Sequence, residues 1–427
     1  MYYLKISSRS FFSKWRQYIS LFLVSMIGVG ISLFSMALID GMLTSLSMKA
    51  KIYYAGDFQI LGGLDNMDFY NSSDYVSKIE SVMPGDAVVA KRRDYDATDC
   101  FLCYEGTDAR IRVIKAVDFN KEKILFSKLN FIEGSSAELS DREGIVISEP
   151  IAKLLSIHVG DSLTLVMSTI HENINSANLV VKGIFRDSSL FGMYTTYMDY
   201  DLFIKLNEDE PDYANRIGVF FPNGNYSEKD LAKYQKRLEK IMNMYPLVED
   251  KYEFYDKLYE GFEKETFALI NIDANMNELK LIIKAMKWVS VLIICALVVI
   301  IIVGVSSTYR VLVMKRITEI GIYKAIGMER KNIYMILLLE SCCLMISGCV
   351  AGLLFSGIMC SIVKCFNLSF IPAFDVFLVN GIIVPVMDPF SVILVLSVIF
   401  VTTVLAVVFS IRKAVEVTPV QALATTE

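Results

Sequence analysis

Residues Trp288–Val305 read WVSVLIICALVVIIIVGV, eighteen residues without a charge. About 20 apolar residues in a helix cover the roughly 30 Å hydrocarbon core of a bilayer, so this stretch reads as a membrane span. Working outward, Tyr18–Ile39 is a second uncharged run of sufficient length. Ile336–Val363 is a third, with one acid, Glu340, near its start, and Phe390–Ser410 is a fourth. The 427-residue chain is 54% hydrophobic with a mean hydropathy of +0.45, more apolar than a water-soluble surface of this size permits. Yet 21% of its residues are charged, and most lie between the first two spans. The expectation is an α-helical membrane protein with four transmembrane helices and an α+β domain inserted between helices 1 and 2.

The divisions expected are 1–17 as an N-terminal segment, 18–50 as span 1 with a stalk, and 51–262 as the inserted domain. They continue with 263–306 as stalk and span 2, 307–333 as a loop and 334–364 as span 3. A second loop at 365–389, span 4 at 390–411 and a tail at 412–427 complete the chain. Lys5, Arg9, Lys14 and Arg16 precede span 1. That run exceeds a signal-peptide core and lacks a small-residue cleavage site, so it reads as an uncleaved anchor. Arg310, Lys315, Arg316, Lys324, Arg330 and Lys331 crowd the loop after span 2, whereas 365–389 has no Lys or Arg. The positive-inside bias therefore places both termini and the basic loop in the cytoplasm and the inserted domain outside. In span 3, Gly348 and Gly352 form a G-x-x-x-G pair suited to close helix packing.

Within the inserted domain, REGIVIS (142–148), DSLTLVMS (161–168) and ANLVVKGIF (177–185) read as strands, with EPIAKLLSI (149–157) as a helix between the first two. Residues 227–244 have helical periodicity and a Ser-x-x-Asp start, and both flanks, 41–51 and 264–287, read as helical stalks running into the spans. Cys100 and Cys103 (CFLC) read as a structural disulfide or two idle thiols. A redox pair would open a helix, and TDCFLCYEGTD reads as a strand or hairpin. Two histidines and no His/Cys cluster leave no zinc site, a net charge of −5 disfavours nucleic acid, and no phosphate-binding G-x-x-x-x-G-K-[ST] loop occurs. No catalytic constellation stands out. The chain is expected to bind no cofactor itself.

The loop RVLVMKRITEIGIYKAIGMERKN (310–332) contains a short amphipathic helix over roughly Lys315–Ile326, closed by Gly327. Lys315 and Glu319 are spaced to pair, and Ile317, Ile320, Ala325 and Ile326 offer apolar contact to a membrane surface or a partner's groove. Lys315-Arg316-x-x-Glu319-Ile320-Gly321-Ile322-x-Lys324-Ala325-Ile326-Gly327, with Glu340 following, resembles the signature of FtsX-like ABC transporter permeases. The ending Arg412-Lys413-Ala414-x-x-x-Thr418-Pro419-Val420-Gln421-Ala422-Leu423 is similar to that family's closing motif. The stretch GIVISEPIAKLLSIHVGDSLTLV resembles its outer-domain core.

The resemblance implies an inner-membrane permease that dimerises, with a second copy or a paralogue, on a separate cytoplasmic ATPase. ATP and Mg would be bound by that partner. Lys315, Arg316, Glu319, Ile320, Gly321, Lys324, Ala325 and Gly327 would form the coupling helix, and spans 1 and 2 would carry its motion to the outer domain. Size and topology most resemble lipoprotein-releasing permeases of the LolC and LolE type, supported by Ser25-Met26-Ile27-Gly28-Val29-Gly30-Ile31. Asp40-Gly41 stands where that group has Asn-Gly. Met42, Leu43, Leu46, Phe267 and Ile270 would then line a path for acyl chains, and a lipoprotein or its periplasmic carrier would be a partner. A MacB-like efflux permease and an FtsX-type regulator of a cell-wall hydrolase remain open alternatives.

Overall fold

The computed structural model describes residues 15–135, 143–187, 189, 191–222 and 228–415. The tail motif from residue 416, the basic residues before Trp15, Arg142 and the Ser227 of the expected capping box lie outside the described residues. The chain forms two units, one comprising 44–283 with 367–381, the other 1–43, 284–366 and 382–427. Helix α1 (Trp15–Tyr53) passes from one to the other without a break. The helical continuation expected over 41–51 is present.

The first unit is built on a mixed sheet. Its strands are β1 (Phe58–Gly63), β2 (Val88–Asp96), β3 (Phe101–Tyr104), β4 (Thr107–Arg110), β5 (Val113–Val117) and β6 (Phe131–Gly134). They continue with β7 (Gly144–Ser148), β8 (Ser162–Ser168), β9 (Ile174–Phe185), β10 (Thr195–Asp199), β11 (Arg216–Phe220) and β12 (Thr266–Asn271). The spatial order is β12-β1-β11-β2-β5-β10-β7-β9-β8-β3-β4, with β6 on β9. Pairs β5–β10 and β7–β9 are parallel, and the other pairs are antiparallel. Helices α2 (Ser72–Val82), α3 (Lys123–Phe126), α4 (Glu149–Leu155), α5 (Tyr200–Leu206), α6 (Glu228–Leu238), α7 (Lys251–Glu260) and α8 (Ile272–Asn275) connect or cover the strands.

The two largest of several apolar cores on this sheet lie apart from each other. One gathers Ile145, Ile147, Leu163, Leu165, Leu179 and Phe203 under α4 and α5. The other gathers Phe58, Ile60, Phe69, Ile79, Ile217 and Leu238 under α2 and α6. Alternation of side chains along each strand sends these residues to a covered face. Between the cores, β2 and β5 carry Arg92, Asp94 and Lys115 inward, a polar seam that the hydrophobic pattern did not reveal.

One expected helix is corrected. Residues 264–287 do not run helically into span 2, because Thr266–Asn271 is strand β12, paired with β1 from Phe58↔Asn271 to Gly63↔Thr266. The β1 edge offers six residues a ladder that a free helix end cannot match, and Thr, Phe and Ile suit a buried strand. The Asn271 side chain then accepts from Ala274 N at 2.8 Å and starts α8.

In the second unit the long helices are α9 (Lys280–Lys315), α11 (Arg330–Val363) and α12 (Pro389–Val415), with the short α10 (Ile317–Ala325) between the first two. Among the described residues four helices, α1 included, are long and apolar enough to cross a membrane. A Cβ on Gly348 would stand 2.7 Å from Ser25 Cβ, and one on Gly352 2.8 Å from Val29. The expected close approach is therefore real, with α1 as the partner. On another side of α1, Gly28 faces Ile301 of α9, where a Cβ would come within 2.4 Å. Gly41 lets the backbone of 384–385 lie against α1, and nearby Val386 N–H donates to Ala37 O at 3.0 Å.

Candidate functional site

Helix α10 is set by local signals. The chain leaves α9 at Arg316, whose φ of −105° breaks the helix, and resumes at Ile317. Its end is a Schellman motif, with Gly327 at φ +88°, Gly327 N–H donating to Lys324 O and Met328 N–H to Tyr323 O, both at 3.0 Å. The expected stop at Gly327 is thus met, and the helix starts two residues later than Lys315.

The two faces of this segment differ. Arg316, Ile320 and Gly321 are buried. The Arg316 guanidinium, 4% exposed, pairs with the Glu340 carboxylate of α11, and its Nη1 donates to the Tyr18 hydroxyl at 2.9 Å. Tyr18 OH in turn donates to Glu340 Oε2 at 3.0 Å, and Arg316 Nε donates to Glu319 Oε2 at 3.0 Å. Burial alone would lower the Arg316 pKa, but hydrogen bonding and charge from Glu340 raise it, so the arginine stays charged. Glu319 is therefore held by Arg316 three residues before it.

The opposite face is open. Lys315, Ala325 and Gly327 are exposed, as are Ile322 at 48% and Ile326 at 78%. Lys324 is half-buried, and burial first, then Arg330, pushes its ammonium down. Of the eight residues expected to couple to a partner, Arg316, Ile320 and Gly321 thus face inward. Ile322, absent from that set, faces out.

At its other end α1 is held by the sheet. Arg92 of β2 is fully buried and pairs with Glu122 through Nε and Nη2. Its Nη1 donates to Ile52 O at 2.9 Å and to Tyr53 O at 3.3 Å, satisfying the orphan carbonyls where α1 stops. Beside it, Lys115 pairs with Asp94 and sits 3.7 Å above the Tyr53 ring. Burial, then Arg216 and Arg92, push the Lys115 ammonium down, while Asp94 stays low under Arg216 and Lys115 against its own burial. Lys51 pairs with Asp57 at 2.5 Å.

Two of the residues expected on an acyl path lie in the sheet instead. Phe267 and Ile270 belong to β12, 2% and 0% exposed, with Phe267 stacked on Phe69 at 4.9 Å. Strand pairing commits them to the sheet cores. Leu46 is buried against Phe191, Ile272 and Met276, while Met42 and Leu43 are half-buried on α1. Cys100 and Cys103 are both free. Cys103 lies in β3 and Cys100 just before it, and residues three apart along a strand point to opposite sides, which separates the sulfurs. Burial pushes the Cys100 thiol up to about 11, away from redox reactivity.

Sequence reasoning missed Tyr18, Arg92 and Lys115. Tyr18 opens the first apolar run, and nothing local in KRRDYD marks Arg92 for burial. No group of three or more potential metal-binding side chains occurs among the described residues.

A comparison with protein-family models matches residues 289–419 to the FtsX-like permease C-terminal family. That region includes most of α9, all of α10 and α11, and α12. No curated protein matches the chain. The open helix α10, tied by Arg316 to Glu340, thus lies in a C-terminal region, residues 289–419, that is an FtsX-like permease C-terminal domain, and this supports reading the chain as a permease subunit of an ABC transporter.

Proposed function

We propose that this permease subunit docks the exposed face of α10 into a groove on a separate cytoplasmic ATPase and passes nucleotide-driven motion along α1 to the sheet domain. The observation that carries this reading is the pairing of an open apolar face, Ile322, Ala325 and Ile326, with a buried anchor, Arg316. A helix docked only by its outer face would roll. One tied behind by an ion pair to α11 and a hydrogen bond to α1 transfers displacement. ATP and Mg are handled by the partner, and both termini lie on the ATPase side of the inner membrane.

The cargo in this reading is a lipoprotein leaving the outer leaflet. Acyl chains cost about 0.8 kcal/mol per CH₂ moved into water, so extraction needs coupled work. Met42 and Leu43 of α1 are the residues retained for that path. Phe267 and Ile270 are withdrawn from it.

Ile326→Glu tests the docking face. It should reduce ATPase co-purification about tenfold or more while the permease keeps its thermal unfolding midpoint in detergent. Unchanged association would overturn the assignment. Lipoprotein retained in spheroplasts by a Met42→Lys variant that still binds the ATPase supports the cargo, and normal release counts against it.

A further inference from the structure

Segment 367–381 joins α11 to α12, yet it belongs to the same unit as the sheet. Its attachment there is specific. Lys49 of α1 donates through Nζ to the Asp375 backbone carbonyl at 2.6 Å and to Asp375 Oδ2 at 3.1 Å. The same ammonium lies 3.4 Å from Asp187 Oδ1, on the segment after β9. Ser45 Oγ, one helical turn earlier, donates to Leu378 O at 2.9 Å. The carboxylates are nearly enclosed, with side-chain exposures of 8% for Asp187 and 4% for Asp375, while Lys49 keeps 16%.

The site is built to admit Asp187. Gly192 makes room for it, since a Cβ there would lie 2.3 Å from the Asp187 carboxyl carbon. Ser189 N–H also donates to Asp187 Oδ1 at 2.8 Å. Burial raises the Asp187 carboxyl, and Lys49 and Ser189 pull it back only partly. A cavity of about 70 Å³ adjoins the three side chains, lined also by Met48, Ile52 and Phe191.

Two enclosed carboxylates on one half-buried cation make sense as an exchange. If Asp375 were the only partner, releasing the segment would strand Lys49 in a shielded site, at the cost of breaking a buried pair. With Asp187 already in reach, Lys49 transfers its charge to Asp187, and Asp375 leaves for water. We propose that Lys49, Asp187 and Asp375 form a releasable latch, in which segment 367–381 is a second, detachable hold on the foot of α1 and Asp187 is the holding partner that makes release reversible. This rests on geometry alone and stands whether or not α10 docks an ATPase.

The test is hydrogen–deuterium exchange of the full chain in nanodiscs, read at the amides of 367–381. Lys49→Met should speed exchange there about tenfold or more. Asp187→Asn should slow it, because Lys49 then belongs to Asp375 alone. A purely structural triad would loosen with either substitution, so faster exchange in Asp187→Asn overturns the proposal. Lys51→Met, which breaks the neighbouring pair with Asp57, serves as the folding control and should leave the segment's exchange unchanged. No change with Lys49→Met would also overturn it.

Discussion

At Tyr18 the hold on α1 is one phenolic oxygen, whereas at Ile52 and Tyr53 it is two main-chain carbonyls. Both holds end in a buried arginine. Arg316 has its charge balanced by Glu340 and Glu319, contributed by α11 and α10. Arg92 is balanced by Glu122 and hydrogen-bonds α1 through main-chain carbonyls. A side-chain hold can be deleted from the helix by one substitution. A backbone hold can be removed only from the arginine's side, so it tolerates change in α1 and fixes where the helix ends. The sheet end is therefore the conservative joint and the α10 end the adjustable one.

The largest effect expected is at the sheet end. Arg92→Met leaves Glu122 buried without its cation and should cost about 3–5 kcal/mol in denaturant unfolding of the detergent-solubilised chain. Adding Glu122→Leu should recover most of that loss. A benign single variant would break the comparison, since it would mean the joint does not depend on a buried ion pair. Tyr18→Phe is milder, because Arg316 and Glu340 keep each other. The loss of one hydroxyl should cost about 0.5–1.5 kcal/mol, seen as a lowered unfolding midpoint. A cost like that of Arg92→Met would show both ends to be equally rigid.

A pH-dependent effect lies away from both ends. Asp212 accepts from Ser73 N at 2.9 Å and Ser72 Oγ at 3.0 Å, and pairs with Lys91, which closes the start of α2. Burial opposes its ionisation, but these hydrogen bonds outweigh it and hold the carboxyl at about 2. Its folded pKa lies below the unfolded value of about 3.9, so the folded state binds fewer protons between those limits. The stabilisation is full above pH 4 and is lost as pH falls toward 2. The stability difference between the parent chain and Asp212→Asn should shrink over that window. A difference unchanged at pH 2 would assign the clasp to packing.

Much of this arrangement was legible in the sequence. The four apolar runs, the Gly327 stop and the strand-helix-strand of 144–168 follow from periodicity and turn residues, which act locally. Arg316 was legible as basic but not as buried, because its partners lie at Tyr18 and Glu340, distant in sequence. Strand β12 was misread because its helical look was a local preference, and the β1 edge that overrode it is some two hundred residues away. Phe267 and Ile270 followed that error. Arg92 sits in the charged run KRRDYD, and only the sheet decides which of those charges turns inward.

The contact at Gly41 has a mechanical consequence. The bare backbone at Gly41 keeps the 384–386 segment seated on α1, since an added Cβ would stand 2.2 Å from the Val384 carbonyl oxygen. Any larger residue at that position would therefore act as a wedge, prising the segment away from the helix.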